Sequence, residues 1–225
     1  MDIQRIKQKP FVTYLLLIVM AVVFLWETLN GGSTNPRTLL YAGAKVNSLV
    51  SDGQWWRLIT PIFVHLGPEH IIVNGITLYF LGLQLEPLYG HFKYLIIFLI
   101  TGIAGNLMSY AFGNGNIISA GASTSLFGLF GIYVALGCVY RKSGLIQQWA
   151  RQFGLLILIN IISDLFISNI DIMGHIGGVL AGFLLGIMIS IPNITKTARK
   201  SWRLIACIVL LLGMVVLYMI GDSLL

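Results

Sequence analysis

Two short segments of this sequence carry side chains that together suit acyl transfer. One is Gly121-Ala122-Ser123-Thr124-Ser125-Leu126-Phe127-Gly128; the other is Gly174-His175-Ile176-Gly177-Gly178. A serine hydroxyl attacks a carbonyl only when a base takes its proton and donors stabilise the oxyanion. A serine near a helix amino end has free backbone N–H groups beside it, and Gly121 permits close approach of backbone or substrate. Taken alone, Ser123 could equally be an ordinary helix contact, since Ser, Thr and Gly mediate such contacts in membranes. His175 alone could be a buried hydrogen-bonding residue or a proton relay. His70 and Asn74, four residues apart, share one helical face, and an imidazole N–H and an amide are suitable oxyanion donors. Asp164 and Asp171 are the acids that could orient His175. Asp171, in Ser168-Asn169-Ile170-Asp171, reads as a helix cap, so a Ser123–His175 dyad with the acid structural is expected. A catalytic zinc needs three protein ligands. His65, His70 and the off-face Glu69 do not make that set, so no metal or other cofactor is expected.

The elements that must hold these groups belong in a bilayer. The 225 residues are 57% hydrophobic and only 10% charged, with a mean hydropathy of +0.87; a soluble domain is about a quarter charged. That deficit excludes a cytosolic enzyme, a secreted scaffold and a disordered tail. The net charge of +6 would suggest nucleic acid in a soluble protein; here it marks cytoplasmic loops, and no nucleic-acid partner is expected. Cys138 and Cys207 read as small buried hydrophobes. Apolar runs predict seven membrane spans at about 11–29, 61–83, 93–112, 117–139, 153–169, 172–191 and 202–221. The fifth is short and carries Asp164. Residues 30–60 are loop-like yet interrupted by apolar side chains, including Trp55 and Trp56, which predicts a segment lying in the membrane interface. Eleven basic residues fall on one side (Arg5, Lys7, Lys9, Lys93, Arg141, Lys142, Arg151, Lys196, Arg199, Lys200, Arg203) against Arg37, Lys45 and Arg57 on the other. That asymmetry puts the amino terminus in the cytoplasm and the carboxyl terminus outside. Trp26-Glu27-Thr28 is a poor cleavage site, so the first span reads as retained, not as a signal peptide.

With that topology His65, His70, Asn74, Ser123 and His175 come from three spans to one depth, in the extracellular half. The inner halves of those spans are nearly bare of such groups. Glycines at 174, 178, 182 and 186 form a small-xxx-small ridge that lets another helix pack almost backbone to backbone. Gly178, Gly182 and Gly186 lie within about 60° of His175 around the helix. A partner with a small stripe at Gly121, Ser125, Gly128 and Ala135 would make Ser123 and His175 neighbours.

The set resembles the rhomboid family of intramembrane serine proteases. It comprises Trp56-Arg57, His70-x-x-x-Asn74, Glu86, Gly121-x-Ser123 and His175-x-x-Gly178-x-x-x-Gly182, in order over roughly residues 50–190. The resemblance implies an all-α polytopic fold: a six-helix bundle over 1–192, then a linker and one additional C-terminal transmembrane helix over 193–225. It implies Ser123 as nucleophile, His175 as general base, and His70, Asn74 and backbone N–H at Ser123 as the oxyanion hole. Trp56-Arg57 would prop one side of the bundle, and Glu86 would be a structural contact. Substrates would be single-pass transmembrane proteins entering past the fifth span, in what would be a bacterial plasma membrane. The sequence departs from many bacterial members in having Thr124, not Gly, after the serine. A non-catalytic rhomboid-like protein that binds transmembrane helices is the alternative, against which the retention of both Ser123 and His175 speaks. A small transporter using His175 and Asp164 as a proton relay would need ionisable residues in the inner halves and an internal repeat, and neither is seen. Oligomeric state is open.

Overall fold

Helix α8, Ile172–Met188, is where the chain is most tightly held, and glycine is the reason. A Cβ placed on Gly182 would fall 1.9 Å from the carbonyl oxygen of Gly128, and one on Gly178 would fall 2.1 Å from that of Thr124. Gly186 likewise faces Ala135. The partner is α6, Ser123–Val139, and the two backbones touch along their length because no side chain separates them. In lipid, apolar burial does not drive helices together; close van der Waals packing does. Of the small stripe expected on α6, Gly128 and Ala135 meet α8. Ser125 instead faces α5, with its hydroxyl against Gly102, and Gly121 faces His70.

A computed structural model of the chain describes residues 9–115, 117–167, 170–192 and 197–224. Around the α6–α8 pair stand α1 (Phe11–Leu29), α4 (Gly67–Tyr89), α5 (His91–Phe112), α7 (Gly144–Asp164) and α9 (Lys200–Ser223). These five are long and apolar enough to cross a membrane, while α6 and α8 are shorter apolar helices enclosed among them. Short helices α2 (Pro36–Ala42) and α3 (Asn47–Ser51) and two 3-10 turns at 55–58 and 60–62 fill the first connection. The chain is an all-α integral membrane protein. Its successive long helices alternate in direction, so the amino ends of α4, α6 and α8 share one end of the bundle, called here the serine end. Helix α9 packs along α5 and α8, with Gly221 against the Tyr110 ring.

Three expected boundaries move. The second span starts at Gly67, not 61, because residues 60–62 form a tight turn and Pro68 opens the helix; His65 therefore lies before α4. The fourth starts at Ser123 itself, because Ser119 is paired with Lys45 through two backbone hydrogen bonds and Gly121 takes φ +125°. The fifth runs 144–164, not 153–169: the Ser143 hydroxyl accepts the Ile146 N–H at its start, and the polar Gln147, Gln148 and Arg151 are helical although too polar for an apolar run. Residues 168–169 of the expected fifth span lie outside the described residues, as do Arg5, Lys7 and Lys196 of the basic tally. Cys138 is exposed and Cys207 half-buried, not buried as expected.

Two buried ions secure the periphery. At the end opposite the serine, the fully buried Glu86 carboxylate accepts the N–H groups of Val12 and Thr13 at 2.8 and 2.7 Å and the Thr13 hydroxyl at 2.6 Å. It thus neutralises the orphan donors and the positive end of α1. Thr13 in turn packs on Gly82. In the first connection, Arg57 Nη1 donates to the carbonyls of Leu40 and Ala44 at 3.0 and 2.6 Å. Trp55 and Trp56 are exposed beside it. The α6–α8 contact makes a direct prediction. Gly182→Ala must force two backbones apart and cost about 1–3 kcal/mol, lowering the melting temperature in detergent, whereas Gly213→Ala, where a Cβ meets nothing, leaves it unchanged or slightly higher.

Candidate active site

Ser123 is the first residue of α6, so its own N–H and those of the next residues have no partner within the helix. His175 sits in the first turn of α8. The close α6–α8 packing brings them together: His175 Nε2 lies 2.9 Å from Ser123 Oγ. The imidazole is held in plane by Phe127, one turn below Ser123, whose ring stacks on it at 4.0 Å with 10° between the planes. On its far side, His175 Nδ1 lies 2.7 Å from Asp164 Oδ2, in the last turn of α7. Of the two acids that could orient His175, Asp164 is the one whose carboxylate faces the imidazole. The apolar run of the fifth span extends to residue 169, five beyond the end of α7, and so does not mark Asp164 as a last-turn residue.

Asp171 does act as a cap, accepting the Gly174 N–H at 3.0 Å. It also receives the hydroxyls of Ser109, on α5, and Ser119, in the segment leading to Ser123, at 2.5 and 2.6 Å. One carboxylate thus ties three elements that frame the serine. Near it Lys45 is almost wholly buried, donating Nζ to Asn47 Oδ1 at 2.9 Å. Burial pushes this ammonium below its ordinary value, and the Asp171 charge acts the other way. No pattern in the sequence marked Lys45 or Asn47 as buried, because both fall in a loop-like stretch.

His70 and Asn74 line the same cavity from α4. Gly121 lets them in: a Cβ there would fall 2.5 Å from His70 Cε1 and 3.4 Å from Asn74 Nδ2. The Asn74 amide nitrogen is buried with no hydrogen-bond partner, an unusual state for a donor. The cavity, about 870 Å³, continues from Ser123 down between α4 and α7 past Phe80, Gln84 and Phe153. Its lining is mainly apolar along α4 and α7, with His70, Asn74, Ser123 and His175 grouped at the serine end. His65 is fully buried behind His70, its ring 5.4 Å away. Its backbone N–H donates to Glu27 Oε1 at 3.3 Å, so it anchors the start of α4 to α1. Ser125 is buried toward α5, away from the cavity. Thr124, the residue after the serine, packs its Cβ against Gly105 and its Cγ2 against Gly174, and it also borders the cavity.

A family model described as a rhomboid domain matches residues 52–192. The chain is similar to Rhomboid protease GluP of Bacillus subtilis (strain 168), 36% identical over 207 residues, covering 91% of this chain and 40% of that protein. It is similar to the Putative rhomboid protease YdcA of the same organism, 31% identical over 183 residues, covering 81% of this chain and 90% of that protein. A third relative is Rhomboid-like protease 2 of Toxoplasma gondii, 34% identical over 173 residues, covering 74% and 58% respectively. The chain thus spans well under half of the first of these relatives and nearly all of the second.

The three-way tie at Asp171 predicts that Asp171→Ala loses a helix cap, about 0.5–2 kcal/mol, and two hydroxyl bonds besides. The melting temperature in detergent is expected to fall by more than it does for Ser119→Ala, which removes one of those bonds and leaves the cap. Equal losses would show that neither the cap nor the Ser109 bond contributes.

Proposed function

This chain belongs to the rhomboid family, and on that premise we propose that it is an intramembrane serine endopeptidase. In this reading it hydrolyses peptide bonds of single-pass transmembrane proteins, with Ser123 as nucleophile and His175 as general base. The observation that carries the reading is the Ser123 Oγ–His175 Nε2 distance of 2.9 Å in an open cavity beside an unpartnered Asn74 amide. The basic-residue asymmetry supports placing the serine end at the outer face of a bacterial plasma membrane. The boundary between a core over 1–192 and an appended α9 belongs to the same proposal.

The chemistry follows from the geometry. As Ser123 Oγ attacks the scissile carbonyl carbon, His175 Nε2 takes the hydroxyl proton. The carbonyl oxygen becomes an oxyanion on the side of Asn74 Nδ2, His70 and the Ser123 N–H, donors that are free before reaction and so need no reorganisation. On collapse the C–N bond breaks, and the proton on His175 passes to the leaving amine. Water then attacks the acyl-serine with His175 again as base, releasing the carboxylic acid and restoring Ser123. A cavity open at one end of the bundle admits that water at less cost than one at the bilayer centre. A substrate helix has its carbonyls internally bonded, so cleavage is expected where it frays or contains Gly or Pro.

The test is cleavage of a panel of single-span substrates by purified protein in liposomes, with mass spectrometry locating each cut. The parent is expected to cut near the serine-end membrane boundary. Ser123→Ala and His175→Ala should be silent while folded, and Asn74→Ala should be slower by roughly 10²–10³-fold, the cost of one oxyanion donor. Undiminished cutting by Ser123→Ala would sink the nucleophile assignment. Binding of helices with no cleavage by the parent would favour a non-catalytic helix-binding protein.

A further inference from the structure

Helix α7 is the least buried of the long helices among the described residues. Between Ile146 and Asp164 it has no buried residue, and Leu155, Leu158, Ile159 and Ile162 are about half exposed. Among the described residues two hydrogen bonds join it to another element, one near each end. At the start, Gln147 Nε2 donates to the Gly137 carbonyl at 2.7 Å; at the finish, Asp164 meets His175 at 2.7 Å. Nothing local asks for an aspartate there. In the last turn of a helix a carboxylate opposes the macrodipole and is a poor helix former. Burying it, with 7% of its surface exposed, adds a desolvation cost. These costs are offset by its one side-chain partner among the described residues, the imidazole.

Resting on the reading of Ser123 and His175 given above, we infer that Asp164 is a positioning residue that couples the seat of α7 to the tautomer of His175. With α7 in place, the carboxylate accepts the Nδ1–H, so Nε2 is left with its lone pair toward Ser123 Oγ. An imidazole without this acceptor is free to carry its proton on Nε2, where it cannot take one from serine. The cavity between α4 and α7 makes the coupling consequential. The carboxylate reaches the imidazole only while the end of α7 is seated against α8, so any opening of the cavity on that side would unset the base. Phe127 fixes the plane of the ring, but stacking does not choose between its two nitrogens, so this choice falls to Asp164.

The experiment uses the full chain in detergent and a fluorophosphonate probe, which reads serine activation without a substrate. Asp164→Asn keeps shape but offers an amide that can donate to Nδ1. It is expected to slow labelling by roughly 10²–10⁴-fold, the range of a general base, with a melting temperature near that of the parent. In ¹⁵N-histidine spectra, the signal lost in His175→Gln should be of the Nδ1–H form in the parent and move to the Nε2–H form in Asp164→Asn. Asp164→Glu, a larger change of shape that retains charge, should keep more of the rate than Asn does. Spin labels at Leu158 and Ile76 should show a broader distance distribution in Asp164→Ala than in the parent background. Parental labelling and tautomer in Asp164→Asn, or equal losses in Asn and Glu, would overturn the positioning role. An unchanged distance distribution would overturn the coupling to α7. Labelling that persists in Ser123→Ala is a separate outcome, and would overturn the nucleophile assignment on which the inference rests.

Discussion

Everything at the serine end depends on the backbone contact of α6 with α8. Helices separated by ordinary side chains keep their axes 8–10 Å apart, whereas α6 and α8 touch backbone to backbone, which fixes their first turns against each other. Gly178 and Gly182 remove the separating side chains on α8, and Gly131 removes one on α6, where a Cβ would fall 2.3 Å from the Val179 carbonyl oxygen. Since lipid offers no hydrophobic force to close the gap, the fit itself must supply the attraction. The hydroxyl–imidazole distance of 2.9 Å is thus a consequence of glycine placement further down the helices.

Around that contact the polar groups divide by what surrounds them. Those at the two ends are fully engaged: Glu86 holds the start of α1, Asp171 holds the start of α8, and Arg57 holds two carbonyls of the interfacial segment. Those facing the cavity keep free valences. Asn74 Nδ2 has no partner, and the first N–H groups of α6 have none within the helix. A buried donor left unsatisfied at the cavity carries a local cost, and the proposed catalysis is a use for it.

Much of this was legible in the sequence. The spacing of Gly174, Gly178, Gly182 and Gly186 indicated both the ridge and the side of α8 on which His175 lies, and the first-turn position of His175 followed from where its apolar run begins. The run of the fourth span begins at 117 and so put Ser123 nearly two turns into a helix that in fact starts with it. What stayed hidden has physical causes. A polar start masked the true extent of α7, and with it the reach of Asp164 to His175. Periodicity gave the register of small residues on α6 but not which neighbour each one meets, so Ser125 and Gly121 were assigned to the wrong partner. The burial of Lys45 depends on pairing with Ser119, seventy-four residues away in the chain, and no local signal carries such a contact.

The most direct measurement of the central claim is an experimental structure of the protein after reaction with a fluorophosphonate. The geometry predicts one phosphorus bonded to Ser123 Oγ, with a phosphoryl oxygen within hydrogen-bond distance of Asn74 Nδ2 and the Ser123 N–H, and His175 still between Ser123 and Asp164. An adduct on Ser125 or any other residue, or a phosphoryl oxygen turned away from Asn74 into open cavity, would contradict it.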